Sequence, residues 1–118
     1  RLAGVRRFVQ ISAIGVDEPL PDDTEEVWAA YVAAKRDADE ALRASGLDWT
    51  ILRPGGLTDD EGTGEVRIGP TVPRGSIPRE DVAAVVAEVI EEERSIGRQW
   101  EVVAGDAPIA EALRVALA

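Results

Sequence analysis

The stretch SGLDWTILRPGGLTD, residues 45–59, joins the end of a helix to a buried strand and a glycine turn. Gly46 suits the position after a helix, because glycine adopts the left-handed backbone conformation without a steric penalty. The apolar run DWTILR, residues 48–53, predicts a short buried strand. The PGG sequence that follows predicts a tight turn just beyond the carboxyl end of that strand. A helix that leads into a buried strand is typical of an α/β fold.

A second buried strand is predicted upstream, at residues 5–12, with the sequence VRRFVQIS. Its centre is apolar and rich in residues that favour β structure, so Phe8, Val9 and Ile11 are expected to point inside. Because this strand reads as buried on both faces, we expect it to have a neighbouring strand at each edge.

A long helix is predicted between these two strands, over residues 24–44. Asp23 and Glu26 have the spacing of a capping box, and acidic residues crowd the first turn, where the helix dipole favours them. The segment before this helix contains Gly15 and two prolines, which indicate a loop.

The rest of the chain continues the alternation of strands and helices. The expected order is a turn-rich loop at residues 54–64, a short strand at 65–68, a helix at 79–93, a strand at 98–104 and a helix at 107–117. The helix at 79–93 carries an apolar stripe made of Val82, Val85, Val86, Val89 and Ile90. This order predicts one α/β domain, residues 1–118, with a parallel sheet covered by helices on both faces.

Composition narrows the possible classes of function. The 118 residues suffice for one small domain, and their net charge of −10 disfavours nucleic acid and anionic membranes as partners. The chain has no cysteine and no histidine, which excludes disulfides, thiolate or histidine catalysis and most zinc sites. No apolar run is long enough to span a membrane, so a cytoplasmic location fits.

The sequence YVAAK, residues 31–35, contains the only tyrosine and the only lysine of the chain. Tyr31 and Lys35 stand four residues apart within the predicted helix, so they project from one face. A cation held beside a tyrosine stabilises the phenolate form, which equips the phenol to exchange a proton with a substrate oxygen. The alternative is a packed tyrosine beside a solvated lysine.

Four stretches are spread over nearly the whole chain, from residue 8 to residue 113: FVQISAIG, YVAAKRDADEALRASGLDWTILRPGGLTDDEGTG, SIPREDVAAVV and WEVVAGDAPIAEAL. In this order they resemble the atypical short-chain dehydrogenases/reductases, namely the NmrA-like, NAD(P)H-binding branch related to sugar-nucleotide epimerases. The resemblance implies the C-terminal half of a Rossmann-type, doubly wound parallel sheet. The N-terminal half, with the family's glycine-rich phosphate-binding loop, is expected to precede Arg1 in a longer protein.

The resemblance also implies roles for individual residues. Tyr31 matches the family's catalytic acid/base, and Lys35 matches the lysine that binds the nicotinamide ribose and tunes the tyrosine. Ser12 matches a serine that hydrogen-bonds the substrate carbonyl, although Ala13 stands where many relatives carry a second hydroxyl residue. The loop expected against the nicotinamide comprises Pro54, Gly55, Gly56 and Leu57. Its glycines would let the backbone approach a ligand, unless they form only a strand-terminating turn.

The implied cofactor is NAD or NADP, held by the full-length protein. The expected activity is that of an NAD(P)-dependent oxidoreductase or epimerase that acts on a carbonyl or alcohol substrate. The alternatives are a non-catalytic NAD(P)-sensing protein of the NmrA-like type and a fragment that folds only by association. The expected partners are a small-molecule substrate and either the N-terminal half or a second chain at exposed sheet edges. A second chain of the same kind would make a homo-oligomer. The isolated chain is expected to be inactive and to bind NAD(P) weakly or not at all.

Several other features are assigned to structure rather than to chemistry. Trp28, Trp49 and Trp100 are expected to be packing residues. The GTG sequence at residues 62–64 lacks the context of a phosphate loop and predicts a turn. The acidic residues 59–61 are expected to be solvated. The acidic and basic residues 79–81 are expected to begin a helix and to pair locally, the alternative being a role in substrate binding.

Overall fold

A computed structural model describes residues 6–118. Ten elements follow one another along the chain: β1 (Arg7–Ile11), α1 (Glu26–Arg43), β2 (Asp48–Pro54), β3 (Gly56–Thr58), β4 (Glu65–Gly69), β5 (Ser76–Pro78), α2 (Arg79–Glu91), β6 (Arg98–Ala104), β7 (Ala107–Pro108) and α3 (Ile109–Leu117). A short 3-10 turn, Glu93–Ser95, follows α2. The first predicted strand is therefore confirmed as β1, although Val5 lies outside the described residues.

The main sheet has five strands in the order β1, β2, β6, β4, β7. The first three are parallel, with Val9 opposite Thr50 and Leu52 opposite Trp100. Strand β4 runs antiparallel to both β6 and β7, so the sheet is mixed rather than wholly parallel as predicted. β6 and β7 both pair with β4 and not with each other, and the short link at Gly105 passes close to the Val66 backbone of β4 between them.

Helices cover both faces of this sheet, as predicted. Thr50 donates from β2 to the Ser95 carbonyl after α2, whereas Arg53 of the same strand pairs with Asp39 of α1. Residues three apart on a strand point to opposite faces, so α1 and α2 lie on opposite sides. The larger core packs α2 and α3 against the sheet and contains Leu52, Val66, Ile68, Ile77, Val82, Val85, Val89, Trp100, Val102, Ile109, Ala112 and Leu113.

Two apolar side chains expected in the core are exposed. Phe8 is 44% exposed, because β1 is an edge strand that pairs only with β2 among the described residues. Ile90 is 50% exposed, because it lies at the margin of the α2 stripe, beyond half-buried Val86. Val9 and Ile11 lie on the other face of β1, where they pack against the core as expected.

The start of α1 differs from the prediction. The helix begins at Glu26 rather than Thr24, and its N-cap residue, Glu25, makes no side-chain capping hydrogen bond. The Thr24 hydroxyl and amide both donate to the Pro21 carbonyl instead, at 2.6 and 3.0 Å. This local turn takes the place of the capping box predicted from Asp23.

Three short strands were not predicted. β3, β5 and β7 have two or three residues each, too few to show a periodic pattern. The last helix consequently begins at Ile109 rather than Ala107. Within residues 6–118, no helix has the length and hydropathy needed to cross a membrane.

Candidate functional site

A cleft of about 600 Å³ opens at the carboxyl ends of β1 and β2. This is the edge at which open α/β sheets bind their ligands. Four parts of the chain line it: the loop after β1, the first half of α1, the turn between β2 and β3, and the segment around β5. Of the residues predicted to form a site, Ser12, Tyr31, Pro54, Gly55, Gly56 and Leu57 line this cleft.

Tyr31 lies in the cleft wall with 45% of its surface exposed. Its ring stacks on Trp28 with the ring centroids 5.1 Å apart and the planes 22° apart. Trp28 is itself 53% exposed and lines the cleft, so the prediction that it is a packing residue is wrong. The prediction is confirmed for Trp100, which is 2% exposed. Trp28 and Tyr31 are three residues apart on α1, a spacing that could have revealed the pair.

Lys35 lies one helical turn beyond Tyr31, as the sequence spacing predicted. Its ammonium nitrogen is 5.8 Å from the centroid of the Tyr31 ring. The same nitrogen donates a hydrogen bond of 3.0 Å to the Ile11 carbonyl at the end of β1. Lys35 is not part of the cleft lining. This bond fixes a positive charge near the phenol ring and leaves two ammonium hydrogens for other partners.

Ser12 is at the end of β1 and is 4% exposed. Its hydroxyl donates a hydrogen bond of 2.6 Å to the Asp39 carboxylate. The hydroxyl hydrogen is therefore engaged, and in this arrangement the oxygen can only accept a further bond. A serine that polarises a substrate carbonyl must donate, so Ser12 would have to turn away from Asp39 to do so.

Asp39 is a fully buried carboxylate that the sequence interpretation missed. It accepts hydrogen bonds from Gln10 at 2.9 Å, from Ser12 at 2.6 Å and from Arg53 at 2.9 Å. A buried charge requires such partners, because removal from water is otherwise too costly. Asp39 follows Tyr31 and Lys35 at four-residue steps on one face of α1, and that spacing was the available signal.

Arg53 links Asp39 to the loop after β1. Its guanidinium also pairs with Asp17 at 2.8 Å. Burial lowers the pKa of Arg53, but hydrogen bonds to Asp17 and Asp39 outweigh that effect and the pKa is raised. The hydrogen bond from Arg53 in turn holds the pKa of Asp17 below its usual value. The loop that forms one wall of the cleft is thus tied to the end of β2.

The glycine turn between β2 and β3 serves a close approach of two backbone segments. A Cβ added at Gly55 would lie 2.1 Å from the Gly75 carbonyl oxygen, whereas one added at Gly56 would have 3.8 Å of clearance. The Gly55 amide donates to Val102, and the Gly56 amide donates to Gly75. Gly55 therefore lacks a side chain because the backbone at Gly75 packs against it. The predicted reason, close approach of a ligand, does not apply to Gly55. Gly56 leaves its backbone open to the cleft.

Arg74 and Arg79 also line the cleft. Arg74 pairs with Glu18, and Arg79 donates to Asp59 at 3.0 Å. Arg79 begins α2 as predicted, but its partner is twenty residues away rather than local. The sequence interpretation did not single out Arg74, because only the tertiary structure brings its loop beside Gly15.

The carboxylates at the start of α2 bind the loop at residues 62–64. Asp81 is 2% exposed and accepts hydrogen bonds from the Thr63 amide at 3.1 Å and the Gly64 amide at 2.9 Å. Local pairing was predicted for Asp81 and is wrong, whereas the predicted turn at residues 62–64 is confirmed. Among residues 6–118, no cluster of three or more acidic side chains is placed to hold a metal ion.

Comparison with known proteins identifies similar chains. A family model described as NAD(P)H-binding matches residues 1–93. An uncharacterized Bacillus subtilis protein named sugar epimerase YhfK is 41% identical over 113 residues, which cover 96% of this chain and 52% of that protein. The chain therefore spans about half the length of the curated relatives it matches.

Solved structures agree with the observed fold. A Bacillus halodurans protein, classed provisionally as an NAD-dependent epimerase/dehydratase, matches with a TM-score of 0.83 and 40% identity over 93% of this chain and 51% of its own. The oxidoreductase ylbE from Lactococcus lactis matches with a TM-score of 0.80 and 33% identity over 96% of this chain and 52% of its own. The α/β architecture is thus that of one part of a Rossmann-type, NAD(P)-binding protein.

Proposed function

The chain belongs to the NAD(P)H-binding family, and on that premise we propose that the whole protein is an NAD(P)-dependent reductase or epimerase. Its substrate is a small molecule with a carbonyl or alcohol group. The observation that carries the proposal is the position of Tyr31 in the cleft wall, with Lys35 held behind it 5.8 Å from the ring centroid. This chain supplies the catalytic part, and an N-terminal half supplies the phosphate-binding part.

The cleft fits the nicotinamide end of the cofactor. Its volume of about 600 Å³ lies within the range of small-molecule sites. Lys35 and the turn formed by Pro54, Gly55, Gly56 and Leu57 are the residues proposed to hold that end. NAD(P), when bound, supplies or accepts a hydride. Gly56 supports the assignment, because it presents backbone without a side chain at the cleft surface.

Tyr31 is proposed to exchange a proton with the substrate oxygen through its phenol group. The phenol gives the proton when a carbonyl is reduced and takes it when an alcohol is oxidised. Lys35 is proposed to keep a positive charge near the phenol ring, and its hydrogen bond to the Ile11 carbonyl holds the ammonium in place. Stacking on Trp28 restricts the Tyr31 ring.

Ser12 is proposed as a secondary contact to the substrate oxygen. Its bond to Asp39 must open before it can donate, so its contribution is expected to be smaller than that of Tyr31. In the full-length protein, Ser12→Ala should therefore lower kcat/KM by about tenfold, less than the loss on removing the Tyr31 hydroxyl.

The direct test is turnover by the full-length protein with Tyr31→Phe. We expect kcat/KM to fall by a factor of about 100 or more, since general acid–base groups contribute that much. The measurement is the consumption of NADPH or NADH with a panel of small aldehydes and ketones. Arg94→Gln, on an exposed ion pair outside the cleft, is the matched control and should keep full activity. Unchanged turnover in Tyr31→Phe would reject the mechanism.

A second candidate is an NAD(P)-sensing protein of the NmrA-like type. The observation that favours it is the engagement of the Ser12 hydroxyl by Asp39, which leaves the cleft without that donor. A sensor would bind NADPH in the full-length form yet turn over none of the carbonyl compounds. Tyr31→Phe would then leave cofactor affinity unchanged.

A further inference from the structure

Arg74 and Arg79 line the cleft, whose other lining residues, apart from Glu18, are uncharged. We propose that these two arginines bind an oxyanion group, a carboxylate or a phosphate, on the small-molecule substrate. The inference rests on the proposed function in one respect, namely that this cleft is the substrate site. It adds the chemical class of the substrate, which nothing in the YxxxK pair specifies.

Arg74 is placed between the two loops that form the cleft. A Cβ built on Gly15 would lie 2.9 Å from an Arg74 guanidinium nitrogen, so the group lies directly over the loop after β1. On its other side, the next residue, Gly75, accepts a hydrogen bond from the Gly56 amide. The Arg74 side chain is 68% exposed, so a ligand in the cleft can reach it.

Arg79 enters the cleft from a different element. It is the first residue of α2 and directly follows β5, which pairs with β3 beyond the glycine turn. Its side chain is 61% exposed and lines the same cleft as Tyr31. Two guanidinium groups from separate elements therefore border the volume in which the reacting substrate would lie.

Both arginines have partners that an anionic ligand can replace. Glu18 is 63% exposed and Asp59 is 90% exposed. Exposed ion pairs of this kind contribute about 1 kcal/mol or less, so exchanging one carboxylate for another costs little. A guanidinium carries five N–H donors and matches a carboxylate or phosphate with two parallel hydrogen bonds. The present pairs keep the guanidinium groups in place until such a ligand arrives.

The charge of the cleft differs from that of the whole chain. Its charged lining residues are Arg74, Arg79 and Glu18, and Asp59 pairs with Arg79, so these four charges cancel. The chain as a whole carries −10. A locally neutral cleft in an otherwise acidic surface repels an anion less than the surrounding surface does. Beside the arginines, the exposed rings of Trp28 and Tyr31 offer an apolar surface to the rest of the ligand.

The test compares a charged probe, 4-carboxybenzaldehyde, with its neutral methyl ester, methyl 4-formylbenzoate, which is larger by one methyl group. Calorimetry on the full-length protein with NADP⁺ present measures binding of each probe without turnover, because the oxidised cofactor has no hydride to give to the aldehyde. We expect the acid to bind at least about tenfold more tightly than the ester, the advantage of one charge-assisted pair. In Arg74→Gln/Arg79→Gln the two probes should bind equally. Arg94→Gln, which removes an exposed arginine outside the cleft, should retain the preference.

Three results would overturn the inference: equal binding of acid and ester by the unmodified protein, binding of neither, or a preference that survives in the double variant. Weaker NADPH binding in the double variant, with the probe preference intact, would assign the arginines to the cofactor instead. A third probe, 4-formylphenyl phosphate, tells whether phosphate or carboxylate is preferred. If the double variant has a lower Tm, the single variants Arg74→Gln and Arg79→Gln replace it.

The inference and the proposed function can fail separately. Binding preferences depend on Arg74 and Arg79, whereas turnover depends on Tyr31. A protein that prefers the acid but loses no activity in Tyr31→Phe would keep the anion site and reject the catalytic role. A protein that loses activity in Tyr31→Phe but binds acid and ester equally would do the reverse.

Discussion

Asp39 joins the polar groups of the candidate site from inside the protein. Its carboxylate accepts hydrogen bonds from strand β1 through Gln10 and Ser12, and from strand β2 through Arg53. The same helix carries Tyr31 and Lys35, so one carboxylate sets the position of α1 against both strands. At the scale of single residues, this buried network and the close contact at Gly55 are the features most sensitive to substitution.

Replacing Asp39 should destabilise the fold. Asp39→Ala leaves Arg53 buried with Asp17 as its remaining carboxylate partner, and we expect the free energy of unfolding to fall by about 3 kcal/mol. Urea unfolding followed by circular dichroism measures the change. Asp37→Ala, at an exposed position of the same helix, is the control and should change stability by about 0.5 kcal/mol or less. Equal stability of the two variants would contradict the structural role of Asp39.

The two adjacent glycines of the turn, Gly55 and Gly56, allow a second comparison of stability. Gly55→Ala places a methyl group 2.1 Å from the Gly75 carbonyl oxygen, so one backbone segment must move. We expect a loss of about 2 kcal/mol or more in unfolding free energy. Gly56→Ala, with 3.8 Å of clearance, should cost far less. If thermal unfolding shows both variants to be alike, the close approach of the two segments is wrong.

At the scale of elements, the start of α2 organises the connection into β4. Glu80 and Asp81 lie in the first turn of α2. Their carboxylates accept hydrogen bonds from the backbone amides of Gly62, Thr63 and Gly64. These carboxylates hold the loop and also lie near the positive end of the helix dipole, which favours negative charge. The helix and the loop therefore stabilise each other, although the sequence predicted only local pairing within residues 79–81.

Asp81→Ala should loosen that loop without unfolding α2. The exposed amides of Thr63 and Gly64 can turn to water, so we expect a modest loss of about 1–2 kcal/mol. Amide hydrogen exchange at Gly64 should accelerate by about tenfold, because its bond to the carboxylate is gone. Glu80→Ala removes only a 3.3 Å bond to Gly62 and should leave Gly64 unchanged. Unaltered exchange in Asp81→Ala would contradict this arrangement.

At the scale of the whole molecule, the outer edge of the sheet is the feature that bears on assembly. Strand β1 pairs on one side with β2, and Phe8 stands exposed on it. An open strand edge next to an exposed aromatic ring is a surface suited to pairing with another strand. We propose that the N-terminal half of the full-length protein, or a second chain, pairs at this edge.

The isolated 118-residue chain should therefore differ from the full-length protein in two measurable ways. Light scattering should show self-association of the isolated chain, because no strand among residues 6–118 pairs with the outer edge of β1. Calorimetry should show NADPH binding that is weak or absent in the isolated chain and tighter in the full-length protein, because the phosphate-binding half contributes most of the contacts. A monomeric isolated chain that binds NADPH with a micromolar Kd would contradict both expectations.

The sequence by itself determined the order of the main helices and strands, the turn at Gly46, and the shared face of Tyr31 and Lys35. These features depend on residues within a few positions of one another, so hydrophobic period, glycine placement and helical spacing encode them directly. Five of the six cleft residues predicted from sequence come together for a different reason: Ser12 follows β1, and Pro54, Gly55, Gly56 and Leu57 lie at or just after the end of β2. Parallel strands place their carboxyl ends along one edge of the sheet, whereas Tyr31 reaches that edge from α1.

Only the tertiary structure decided the partners of these elements. In the folded protein, β4 runs antiparallel to β6 and Phe8 is exposed on the edge strand. Asp39 pairs with Arg53, and the Arg74 guanidinium lies over Gly15. Each of these outcomes depends on contacts between segments that lie far apart along the chain. No local period records which charged side chain will find a buried partner or which loop will border a cleft, because the energy of such contacts exists only once the chain has closed on itself.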